Sequence, residues 1–149
     1  MTRTTALCAA ALAILAMAVP TAQTTQPKPA PMSKLMASVQ GAWTMTNSNG
    51  QDMAGSGQDI IITITENKYV QTVNGQVAER GTFKIDETKK PLAIDLQILE
   101  GDDAGSSQVG IIEIDGKTMY GKIGEPGGTI RPTDFQPAAG FFTFTMVKK

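Results

Sequence analysis

Glu79 is the carboxylate whose place in the pattern suits it best for chemistry inside a folded domain. It shares parity with Val77, Phe83 and Ile85 in an alternating segment, so it is expected to face inward unless a bulge intervenes. Two facing carboxylates could support glycoside hydrolysis. The nearest partner, Asp95, has opposite parity to Leu92, Ile94, Leu96 and Ile98 and is expected to face solvent. One inward carboxylate is not a catalytic pair. The chain contains no histidine, which removes the commonest general base and metal ligand and excludes a Ser-His-Asp triad. Its single cysteine, Cys8, lies in an apolar leader, so the domain offers no thiol nucleophile, disulfide or thiolate metal site. No nucleophile and base can be paired, and no enzyme, metal or cofactor is expected.

Other motifs have simpler readings. Gly116-Lys117-Thr118 looks like the end of a phosphate-binding loop, but Ile111 stands where that loop needs glycine, and a strand follows instead of a helix. Glu100-Gly101-Asp102-Asp103-Ala104-Gly105 is acidic without calcium-loop spacing, and reads as a polar turn. Trp43 is the sole tryptophan and is expected to plug the core. Arg131, after the glycine-rich Gly124-Glu125-Pro126-Gly127-Gly128, is expected to stack on an aromatic ring or pair with an acid such as Asp134. Adjacent basic residues occur at Lys89-Lys90 and Lys148-Lys149, read as loop and tail, and the net charge is −1. A nucleic-acid surface needs clustered cations, so no nucleic-acid partner is expected.

The elements that must hold these residues follow from the hydropathy pattern. Residues 1–22 have a charged start, an apolar run from Ala6 to Val19 and small residues at the exit, as in a secretory signal peptide cleaved after Ala18 or Ala22. The run falls short of the roughly 20 residues a bilayer span needs, so no stable membrane span is expected after cleavage. A secreted or periplasmic location follows. Residues 23–34 form a linker with three prolines in the five positions from Pro27 to Pro31. Lys34 to Gln40 suits a short helical turn that plugs one end of the domain that occupies residues 35–149.

From Gly41 onward apolar residues recur with period two between turn dipeptides. Strands are predicted over 42–46, 59–65, 68–73, 76–85, 91–99, 109–114, 117–123 and 141–147. Asn74-Gly75 and Asp115-Gly116 mark tight hairpins. The fold class is therefore all-β, a single antiparallel up-and-down barrel of about eight strands, since closure removes exposed edges. Such a barrel is either filled by side chains or holds one small ligand. Trp43, Ile62, Tyr69, Phe83, Leu96, Met119 and Phe144 are the inward candidates to bind a small hydrophobic molecule, with Arg131 as a polar anchor. The alternative is a cell-envelope module with a filled core that meets an envelope protein. A cavity of roughly 300 Å³ or more would favour the ligand.

Gly41-Ala42-Trp43, Gly81-Thr82-Phe83-Lys84-Ile85-Asp86, Lys89-Lys90-Pro91 with Ile94-Asp95-Leu96, Gly110 to Gly116, and Arg131-Pro132-Thr133-Asp134-Phe135 occur in this order. In that combination residues 39–149 resemble a small lipocalin-like domain family of unknown function abundant in planctomycete bacteria. The resemblance implies a lipocalin- or calycin-like fold and no particular activity. It also implies that Arg131 covers Trp43, as a C-terminal arginine covers the strand-one tryptophan of lipocalins. Gly121 and Lys122 depart from the larger apolar residues the pattern leads one to expect in the seventh strand.

Overall fold

A computed structural model describes residues 31–149. The expected signal peptide and most of the expected linker lie outside the described residues. The first element, α1 (Lys34–Val39), begins one residue before the expected domain boundary. Its N-cap is Ser33, whose hydroxyl accepts the Met36 amide at 3.0 Å. Nine strands follow: β1 (Gly41–Ser48), β2 (Gln51–Asp52), β3 (Ile60–Thr65), β4 (Lys68–Val73), β5 (Gln76–Asp86), β6 (Leu92–Glu100), β7 (Ser107–Asp115), β8 (Thr118–Gly124) and β9 (Phe141–Lys148).

All neighbours are antiparallel, and β1 pairs with both β3 and β9. That pairing closes β1 and β3 to β9 into an eight-stranded up-and-down barrel. The two-residue β2 is an extension of the β1 edge, folded back over Asn49-Gly50. The sequence pattern passed over it because two polar residues carry no alternation. Asn49 and Gly50 have φ of 49° and 80°, and Asn74 and Gly75 have 51° and 79°. Two successive positive φ values make the hairpin turn whose twist matches that of its strands.

The third hairpin differs from expectation by one residue. Asp115 still pairs with Thr118, so the loop is Gly116-Lys117, with Gly116 at φ 58° in the first central position. Here glycine is needed one place earlier in the turn than an Asn-Gly pair would put it. A fourth tight turn was not signalled at all. Glu66 occupies φ 56° between β3 and β4, where a side chain is strained. Gln40 holds it there, accepting the Glu66 amide at 2.6 Å and donating to the Glu66 carbonyl at 3.0 Å. Glu66→Gly is therefore expected to raise unfolding stability by about 1 kcal/mol, read as a higher urea midpoint at unchanged slope.

Closing so few strands demands curvature, and three register shifts supply it. They lie between Met45 and Asn47 on β1, between Gln71 and Thr72 in the β4–β5 pair, and between Arg80 and Gly81 in the β5–β6 pair. The second leaves Ala78 unpaired and separates the exposed Val77 from Glu79, which stays in phase with Phe83. The alternation read from β5 thus holds on the C-terminal side of the bulge.

Helix α1 sits at the end of the barrel that carries the β3–β4, β5–β6 and β7–β8 turns. Ser33 bonds Glu87 in the β5–β6 turn, Gln40 bonds Glu66, and the Lys148 ammonium donates to the Ser38 carbonyl at 2.8 Å. Beneath the helix Trp43 is fully buried, and its indole Nε1 donates to the Val39 carbonyl at 2.8 Å. The residue that covers Trp43 is Lys148, its Nζ 5.6 Å from the ring centroid. Arg131 is elsewhere, so the expected Arg131–Trp43 contact is replaced by a lysine from β9, and Lys148 is part of the structure instead of a solvated tail.

Candidate functional site

The barrel interior holds a partly open cavity of about 200 Å³. Each of the eight barrel strands contributes through its alternation: Met45 from β1, Ile62 and Ile64 from β3, Tyr69 and Gln71 from β4, and Glu79, Phe83 and Ile85 from β5. Opposite them stand Ile94 and Leu96 from β6, Gln108 and Ile112 from β7, Met119 and Ile123 from β8, and Phe142, Phe144 and Met146 from β9. Val39 of α1 lies at the helix end. The wall is apolar apart from Tyr69, Gln71, Glu79 and Gln108.

Those polar groups gather towards the end opposite α1. Gln71 and Glu79 are register partners on the two arms of the Asn74-Gly75 hairpin. Gln108 donates to the Gly124 carbonyl at 2.9 Å. Tyr69 reaches across from further inside, and its hydroxyl donates to Glu79 Oε1 at 2.7 Å. Gly81 makes this reach possible. It is the register partner of Tyr69, and a Cβ there would lie 2.6 Å from the tyrosine ring and 2.7 Å from its hydroxyl. An inward glycine leaves the space beside its bare backbone to the aromatic residue on the next strand. Burial, then the hydrogen bond to Glu79, then the charge on Glu79 push the Tyr69 phenol far above its ordinary value. The phenol is therefore a permanent neutral donor.

Six of the eight candidate binding residues line this cavity: Ile62, Tyr69, Phe83, Leu96, Met119 and Phe144. The structure places the other two apart from it. Trp43 is inside the barrel but packed solid under α1. Arg131 is outside. Its guanidinium donates to the Ile94 and Gly110 carbonyls at 2.8 and 2.6 Å and pairs with Asp95 on the outward face of β6. The acid that Arg131 was expected to find, Asp134, instead takes the Lys122 ammonium at 3.2 Å.

These contacts explain the Arg131 to Phe135 motif. The segment between β8 and β9 lies as a strap against the outside of β6 to β8. Ala93, Ile111 and Lys122 are consecutive cross-strand partners on the outward face, yet all are buried, as is Pro132. Lys122 also donates to the Gln136 carbonyl at 2.5 Å and sits over the Phe141 ring. Its departure from apolar character is thus the anchor of the strap. The Lys122 hydrogen bond holds the Asp134 carboxyl below the usual carboxylate range, aided by the Gln136 amide.

Gln71 and Gln108 were absent from the candidates. Parity with Tyr69 and with Ile112 points both inward, but glutamine is normally read as solvent-facing. Among the described residues no group of three or more aspartates, glutamates, cysteines or histidines is placed to hold a metal. Also among them, no helix is long and apolar enough to cross a membrane. The acidic stretch after β6 is a turn closed on itself, with the Gly105 amide bonded to the Ile98 carbonyl at 2.9 Å.

Together the fold and the cavity define a small closed up-and-down β-barrel with an apolar interior and one polar pole. Comparison of the chain with protein-family models, with curated proteins and with solved structures gives no match.

Proposed function

We propose that this is an exported, lipocalin-like barrel that holds one small apolar molecule in its interior. The reading rests on the cavity of about 200 Å³ and its largely apolar wall. The volume is below the roughly 300 Å³ of ordinary ligand pockets. It exceeds the roughly 150 Å³ that suffices for benzene in an apolar protein cavity. The ligand is accordingly the size of a single ring or a short alkyl chain. The filled envelope module needs a solid interior, and the cavity counts against it. The apolar leader and the proline-rich stretch that follows it support export.

Toluene serves as the simplest probe. Calorimetry with the full chain is expected to give one site per barrel with a Kd on the order of 1 mM. Ile62→Phe, which fills part of the space, is expected to weaken binding at least tenfold while the barrel stays folded. Absence of saturable binding by toluene, indole and hexanol alike would contradict the proposal.

A further inference from the structure

The polar pole has a sign. Glu79 is the only charged side chain in the cavity wall among the described residues. Tyr69 spends its proton on Glu79 Oε1, which leaves the phenol oxygen and the second carboxylate oxygen as acceptors. Gln108 gives one of its two amide hydrogens to the Gly124 carbonyl. The nearest cation on the same strand, Arg80, faces out and pairs with Glu100 at 2.6 Å. Among the described residues no lysine or arginine lines the cavity to receive an anionic group. With the Glu79 carboxylate as its charged group, the pole repels a carboxylate ligand and leaves a neutral hydrocarbon without a partner for Glu79.

Resting on the ligand reading above, we propose that the Glu79 pole selects a small apolar molecule bearing a protonated amine. The ammonium group lies against Glu79 and Tyr69, and the hydrocarbon part lies among the aliphatic and aromatic side chains. An ammonium brings three donors and a positive charge, which match the free Glu79 carboxylate oxygen and the Tyr69 phenol oxygen. Its bond to a carboxylate joins two opposite unit charges, whereas a hydroxyl brings only a neutral donor. Gln71, directly across from Glu79, can offer its amide oxygen as a further acceptor.

The test is a matched series on the full chain near neutral pH: benzylamine, benzyl alcohol, toluene and benzoate, measured by calorimetry. Benzylamine is expected to bind about tenfold or more tightly than benzyl alcohol, with benzoate weakest of the four. Glu79→Gln keeps an acceptor for the Tyr69 hydroxyl and is expected to bring the amine-to-alcohol ratio close to one. Tyr69→Phe leaves the carboxylate in place and is expected to keep the amine ahead of the alcohol. Should Glu79→Gln not fold, the wild-type ratio and Tyr69→Phe decide the matter. Benzoate binding as tightly as benzylamine, or an amine preference that survives in folded Glu79→Gln, overturns the selectivity alone when toluene binds. Failure of all four to bind overturns the ligand reading as well.

Discussion

Trp43→Ala is expected to cost about 3–5 kcal/mol of unfolding stability, the range for emptying a large buried aromatic site. Small domains have only about 5–15 kcal/mol in total, so much of the protein is expected to be unfolded near its growth temperature. The cost is high because three elements meet on this one side chain. Trp43 is completely buried, its indole bonds the last carbonyl of α1, and Lys148 covers its outer face. Alanine would leave the Val39 carbonyl unpaired and α1 without the surface it packs on. Trp43→Phe retains most of the packing and loses the hydrogen bond, with an expected cost of about 1–2 kcal/mol. Urea unfolding followed by far-ultraviolet circular dichroism measures both. A loss under 1 kcal/mol for alanine would mean that α1 does not close the barrel through Trp43.

The second large effect comes from adding an atom. Gly121 faces inward on β8 opposite Phe144 of β9, and a Cβ placed on it would lie 2.0 Å from the phenylalanine Cζ. Phe144 is buried and also stacks on Phe142, with ring centroids 6.0 Å apart, so it has little room to withdraw. Gly121→Ala is expected to destabilise by about 3 kcal/mol, at the upper end for overpacking a core. Phe144→Leu in the same chain should relieve the clash. The double variant is then expected to lose at least 1 kcal/mol less than the two single losses added together. Strict additivity would show that the ring does not occupy the space over Gly121.

Gly121 also illustrates how far the pattern of residues carries. As a residue in a strand it reads as a defect, because the partner that fills its space is more than 20 positions away in sequence. Its neighbour Lys122 reads as misplaced for the same reason. The strap that turns it into an anchor is a loop without periodicity. Alternation and turn dipeptides were enough for all eight barrel strands, because period two and Asn-Gly chemistry act within a few residues. They also placed Glu79 inward, with the bulge at Ala78 falling on the harmless side. The positions of Arg131 and Lys148 depend on which outer surface a loop and a tail finally meet, and local pattern carries no such information. The same limit hid the polar pole. Glu79 and Tyr69 were each visible as inward residues, but their contact depends on the bare backbone of Gly81 between them.

The most direct test of the barrel as a container is a titration of the methyl groups of Ile62, Ile94, Ile112, Met119 and Met146 by carbon–proton NMR with benzylamine. All five line the cavity from different strands. Concerted, saturable shifts of these methyls, with Met53 and Ile130 outside the cavity unmoved, are the expected result. Shifts confined to surface methyls, or none at millimolar ligand, would contradict it.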